Sequence, residues 1–178
     1  PEQFIPHLMK HLGEPYYVAL LSAAELHGAA HHRPQRFQVI LRKNRRPIEC
    51  GEARVQFVAR HDLERTPVVE QNTPRGKTRV SSPEATALEL VGYADQCGGL
   101  DNVASVLSDL AESLDARKLV EAAHLCPITW SQRLGYLLEL ASQDDLASAL
   151  ADHVRAQAAP LAPLVRAKSM KGAPRAER

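Results

Sequence analysis

The side chains most able to do chemistry are acids, histidines and a dense set of arginines between positions 27 and 79. A restriction-endonuclease-type site needs an acidic residue, then Glu or Asp, one further residue and Lys on an adjacent strand, to hold magnesium and activate water. Asp62 followed by Glu70-Gln71-Asn72 has that layout, but Asn72 stands where the Lys is required. His27 and His31 are four apart, as two metal ligands on one helix face would be, with His32 beside them. Gly28 and Pro34 interrupt a helix there and no carboxylate or cysteine completes the set, so these histidines read as polar groups at a helix end. No serine lies in a G-x-S-x-G context, and neither a G-x-x-x-x-G-K-S/T phosphate loop nor a G-x-G-x-x-G fingerprint occurs. The sequence therefore predicts no catalytic residue, no metal and no cofactor.

What remains is charge on a strand-like segment. Phe37, Val39 and Leu41, then Ala53, Val55, Phe57 and Ala59, recur at every second position. If the apolar row faces a core, the alternation turns Arg36, Gln38, Arg42, Arg54, Gln56 and Arg60 the other way. Lys43, Arg45 and Arg46 fall in the adjoining turn, and Arg75, Lys77 and Arg79 in a later hairpin extend the patch. Arginine's planar fork suits bidentate contact with carboxylate or phosphate, so this basic face is the candidate partner- or nucleic-acid-binding site. A solvated strand face of mixed charge is the plain alternative.

The elements that must position these residues follow from periodicity. Phe4, Ile5, Leu8, Met9 and Leu12 predict a short amphipathic helix stopped by Gly13. The run from Pro15 through Leu26, apolar nearly all round, predicts a second, buried helix. Strands are expected over 37–41 and 53–59, with a weaker one over 47–50, and a hairpin formed by 66–71 and 77–81 around Asn72-Thr73-Pro74-Arg75-Gly76. Together they make a small, mostly antiparallel sheet. Ser82 caps a helix beginning at Pro83, Gly98-Gly99 terminates a helix, and further helices begin behind Asp101-Asn102, Asp115, Thr129 and near Leu146. Beyond Ala158, Pro160, Pro163 and Pro174 among Arg166, Lys168, Lys171, Arg175 and Arg178 predict a basic, poorly packed tail. The fold class is α+β: two N-terminal helices, the sheet and a C-terminal helical bundle. The expected division is a connector helix (1–14), a domain over 15–158 with sheet part 15–81 and helical part 82–158, and the tail (159–178).

Bulk properties narrow the function classes. The 178 residues are 44% hydrophobic and 24% charged, which suits a folded globule. A net charge of +1 selects neither nucleic acid nor membrane. Cys50, Cys97 and Cys126 are odd in number, widely spaced and without CxxC or Cys/His ligand spacing, which argues against a zinc or disulfide framework and predicts a reducing, cytoplasmic setting. The apolar stretch of 16–24 is well short of the roughly 20 residues of a membrane span. Pro1 and the residues after it lack a signal-peptide pattern and read as a cut edge.

Several blocks are more specific than any of these signals. The run Tyr16-Tyr17-Val18-Ala19-Leu20-Leu21-Ser22-Ala23-Ala24-Glu25-Leu26-His27-Gly28-Ala29-Ala30-His31 resembles the start of the C-terminal domain of AbiEi-type antitoxins. So do Pro34 to Val39, Ser81 to Val91, Gly98 to Val103 and Gln132 to Glu139, in order along residues 15 to 140. The resemblance implies an antitoxin of a type IV toxin–antitoxin system, associated with abortive infection, whose partner is a nucleotidyltransferase-like toxin neutralised without a stable complex. It also implies operator DNA binding through an N-terminal winged helix, which does not lie within residues 1–178. Two functions thus stay open: a toxin-counteracting domain, and the dimerisation or DNA-contact arm of a winged-helix transcriptional repressor.

Overall fold

The computed structural model describes residues 5–29, 34–51, 53–73 and 76–164. Six strands, β1 (Tyr16–Val18), β2 (Phe37–Leu41), β3 (Ile48–Cys50), β4 (Ala53–Ala59), β5 (Val68–Thr73) and β6 (Gly76–Ser81), form one sheet in the order β3-β4-β2-β1-β6-β5. Around it lie the helices α1 (Ile5–Leu12), α2 (Leu20–Leu26), α3 (Pro83–Gly92), α4 (Leu100–Leu110), α5 (Ala116–Ala123), α6 (Ile128–Leu140) and α7 (Asp144–Ala156). The architecture is the expected α+β class. The sheet is mixed: β1–β2, β3–β4 and β5–β6 are antiparallel, whereas β1–β6 and β2–β4 are parallel.

The helix expected over Pro15 to Leu26 is corrected. Its first part is strand β1, and α2 begins only at Leu20, which takes φ +56° directly after the extended Ala19. β1 is interior to the sheet, and both Tyr17 and Val18 are fully buried, so its residues show no polar alternation. A short apolar run of this kind is compatible with either a buried strand or a buried helix.

The sheet is covered on both faces, and that decides where its polar residues go. On one side Ile5 and Met9 of α1 pack on Val18, Phe37, Val39, Leu41, Val55, Phe57 and Val80. On the other, Tyr17, Ile40 and Val58 join Leu20, Leu88, Leu107, Trp130 and Leu134 in the core shared with the helices. Every residue of β2 is consequently buried, Gln38 included. The Gln38 amide is nonetheless engaged at both ends: its Oε1 accepts from the Leu21 N–H at 3.0 Å, and its Nε2 donates to the Gln96 carbonyl at 2.9 Å. Gln38 thus supplies the first turn of α2 with an acceptor that Ala19, lacking a polar side chain, does not.

The helical half follows most of its sequence signals, but Asp101 and Asn102 lie inside α4, whose N-cap is Gly99, and Thr129 lies inside α6, whose N-cap is Pro127. The Ser82 hydroxyl accepts from the Ala85 N–H at 3.2 Å at the start of α3, and Asp115 Oδ1 accepts from the Lys118 N–H at 2.9 Å at the start of α5. Ser82→Ala is expected to lower stability by about 1 kcal/mol, read as a fall in the denaturation midpoint, because it orphans a first-turn N–H. Val103, Val106, Leu107 and Leu110, then Leu119 and Ala123, Trp130, Leu134, Leu137 and Leu138, and Leu146 and Leu150 are all buried as their spacing predicts. Gly98, at φ +81°, ends the 3-10 turn Ala94–Cys97 before α4.

The start of the tail is irregular and largely exposed but tied down at two points. Gln132 Nε2 donates to the Pro160 carbonyl at 2.8 Å and Arg133 Nε to the Pro163 carbonyl at 3.1 Å, so α6 holds this stretch down. Prolines leave their carbonyls free to accept, which is what the two α6 donors use. The tail cations Arg166, Lys168, Lys171, Arg175 and Arg178 lie outside the described residues.

Candidate functional site

The ten cations expected to share one face separate into three groups. Arg60 is the clearest correction, since its side chain is 6% exposed and lies in the interior between sheet and helices. Its Nη1 donates to Glu89 Oε1 of α3 at 2.8 Å and its Nε to Asp62 Oδ1 at 3.1 Å, and its Cζ sits 5.6 Å from the centroid of the Trp130 ring. The Tyr17 hydroxyl donates to the same Glu89 oxygen at 2.6 Å and lies 3.1 Å from Thr66 Oγ1. Burial pushes the Glu89 carboxyl up to about 7, against the pull of Arg60 and the Tyr17 hydroxyl. Burial opposes the charge on Arg60 as well, but Tyr17 and Glu89 outweigh it and its pKa is raised. Arg60 therefore ties the end of the β4 strand to α3 and α6, and it is not available to a partner.

The second group belongs to the hairpin. β6 is separated from β4 by β2 and β1, so Lys77 and Arg79 sit three strands away, roughly 14 Å at ordinary strand spacing. Lys77 Nζ pairs with Glu70 Oε2 at 2.8 Å, which raises the ammonium and lowers the carboxyl. Arg79 stands opposite the same Glu70 in the β5–β6 register. The acid that resembled a nuclease ligand is thus engaged by a lysine, and Asp62 by Arg60. Arg75 lies outside the described residues.

The third group gathers at the β2–β3–β4 end of the sheet. An open groove of about 400 Å³ is lined by Arg36, Asn44, Arg45, Arg46, Pro47, Gln56 and Phe57. Arg36 precedes β2, Gln56 and Phe57 come from β4, and the remainder belong to the turn before β3. Arg45 Nη2 is held by Glu14 Oε1 at 2.9 Å, both side chains being partly exposed. Arg36 and Arg46 are exposed and make no ion pair among the described residues. Exposed Lys43 and Arg54 stand nearby in sequence, and Arg42 is paired with Glu64.

One useful signal lay in the partition of charge rather than in its sum. Residues 15–81 hold twelve Lys and Arg against six Asp and Glu, while residues 82–158 hold four against twelve, so the sheet half carries the basic character. Of the histidines, His27 Nε2 lies 2.8 Å from the Ser81 carbonyl, which fastens α2 to β6; His31 and His32 lie outside the described residues. No helix among the described residues is long and apolar enough to cross a membrane.

The family described as AbiEi antitoxin C-terminal domain matches residues 17–140. No curated protein matches in sequence. Among solved structures, the chain is similar to the RV2827C protein from Mycobacterium tuberculosis, with a TM-score of 0.59 and 17% identity over 84% of this chain and 56% of that one. It therefore spans little more than half the length of that protein, and the likeness is one of fold. An antigenic nucleotidyltransferase-like protein from Paracoccidioides brasiliensis is also similar, with a TM-score of 0.49 and 13% identity over 84% of this chain and 89% of that one.

Proposed function

The chain belongs to the AbiEi antitoxin C-terminal domain family, and from that premise we propose that it is the antitoxin domain of a type IV toxin–antitoxin system, counteracting a nucleotidyltransferase-like toxin in the cytoplasm. The family match over most of the folded chain is the observation that carries this reading. The role is neutralising and has no catalytic step, and no cofactor or metal enters it.

The site proposed for that activity is the β2–β3–β4 end of the sheet, where Arg36, Arg45 and Arg46 line one groove and Lys43 and Arg54 add exposed charge. Guanidiniums at a surface without an ion pair have their donors open to an anionic partner, and among the described residues two of the three, Arg36 and Arg46, make none. Arg42 is matched by Glu64, and the hairpin cations Lys77 and Arg79 stand three strands away against Glu70. Arg60 is withdrawn from the site.

Co-expression of the cognate toxin with residues 1–178 alone tests the reading: the chain should restore colony formation without any winged helix. The competing function, a DNA-contact arm of a winged-helix autoregulator, finds support in the same unpaired cations. Under that alternative, residues 1–178 would leave toxin killing unchanged, and operator DNA would be bound only by a chain that also carries the winged-helix head.

A further inference from the structure

The groove has a composition that surface charge alone does not require. Its volume of about 400 Å³ falls in the range of cavities that take small molecules, about 300–1,000 Å³. Three guanidiniums border one concavity, and among the described residues only Arg45 has a carboxylate, Glu14, against it. The remaining positive charge repels itself in the free protein, and an anion bearing several charges relieves that repulsion better than a lone carboxylate. The ion pair with Glu14 also restrains the Arg45 fork, so less freedom is lost when it binds. Beside the cations lie two side-chain amides, Asn44 and Gln56, which donate and accept, and an apolar surface supplied mainly by exposed Pro47, Phe57 being largely buried under α1. Inorganic phosphate has no use for those neighbours, whereas a nucleoside does.

The geometry points to a nucleoside triphosphate as the ligand of this groove, its phosphates on Arg36, Arg45 and Arg46 and its base against Pro47 within reach of Asn44 and Gln56. The assignment shares residues with the antitoxic surface proposed above but stands on the groove's composition and is tested without any toxin. A chain that binds no nucleotide can still protect cells, and one that fails to protect can still bind.

Isothermal titration calorimetry of the full 178-residue chain with ATP, GTP, CTP and UTP in turn, with inorganic tripolyphosphate and with a short single-stranded RNA decides the matter. At least one nucleoside triphosphate should bind saturably with one site per chain, more tightly than tripolyphosphate or the RNA. Arg36→Gln with Arg46→Gln should weaken that binding roughly tenfold or more, since charge-assisted hydrogen bonds are removed. Arg117→Gln with Arg155→Gln, exposed cations on α5 and α7, should leave it within about twofold. Thermal melting matched to the parent establishes that both pairs fold. Absence of saturable binding by every triphosphate overturns the assignment. So does equal weakening by the two variant pairs, tripolyphosphate binding as tightly as the best nucleotide, or RNA binding more tightly than any of them.

Discussion

Arg60→Ala is expected to lower the free energy of unfolding by about 3–5 kcal/mol, the largest loss foreseen for any single substitution in the chain. The cause is the partner left behind. Glu89 is fully buried, and Arg60 is the only cation that the described hydrogen bonds and ion pairs place against it. Removing the guanidinium leaves the Glu89 carboxyl in the interior with hydroxyl partners, Tyr17 and Ser81, and no cation, and also strips the Trp130 face of its cation. Replacing both partners with apolar residues of similar size, Arg60→Met with Glu89→Leu, should recover most of the loss, because desolvation of the two charges offsets much of their attraction in the parent. Chemical denaturation of the parent, both single variants and the double variant checks this. If Arg60→Ala unfolded within about half a kcal/mol of the parent, as exposed substitutions typically do, Arg60 would be a surface residue and its removal from the binding face would be wrong.

Gly92→Ala is expected to cost about 3 kcal/mol and to lower Tm by about 6–12 °C. Gly92 closes α3 beneath Trp130, and a Cβ added there would lie 2.2 Å from Trp130 Cε2 and 2.4 Å from Cζ2. Two features keep the ring from moving aside cheaply. It packs edge-on against Tyr93, with ring centroids 5.3 Å apart at 67°, and it carries Arg60 over its face. Helix propensity alone favours alanine over glycine by about 1 kcal/mol inside a helix, so a net loss would measure the steric clash directly. Thermal melting of the variant reads the result, and a Tm at or above the parent's would mean that Trp130 is not seated where the structure places it.

The helical half was legible because caps and 3.6-residue stripes are local signals. Ser82, Gly98 and Asp115 act at the ends where their chemistry places them, and the apolar stripes behind them are the ones that are buried. The sheet was legible as strands but not as a layer. Phe37, Val39 and Leu41 do face a core, yet the opposite row, Gln38 and Ile40 with Val58 and Arg60, faces another. Ile40 and Val58, which stand in register on β2 and β4, were the residues that betrayed the second core. Apolar side chains within a supposedly exposed row signal a sheet covered on both sides. Arg60 misled for the same reason: a buried arginine and an exposed one have the same letter and spacing, and the distinction depends on Glu89, distant in sequence. The two parallel pairings and the conversion of Tyr16–Val18 from helix to strand likewise depend on partners that no local window contains.

The basic site was legible in its residues and not in its grouping. Arg36, Arg45 and Arg46 meet in one groove because the turn before β3 folds back toward the start of β2, whereas Lys77 and Arg79 are carried to the far side of the sheet by the strand order. That grouping makes the site divisible by mutation. Arg36→Glu with Arg46→Glu alters two exposed residues that make no ion pair among the described residues, at an expected cost of about half a kcal/mol each. The decisive measurement is survival of cells expressing the toxin together with this double variant, its fold verified by circular dichroism and melting. Colony counts should fall to those of cells expressing the toxin alone, while a matched Arg117→Glu with Arg155→Glu variant protects as the parent does. Full protection by the folded Arg36→Glu, Arg46→Glu chain would contradict the account and move the antitoxic surface off the sheet.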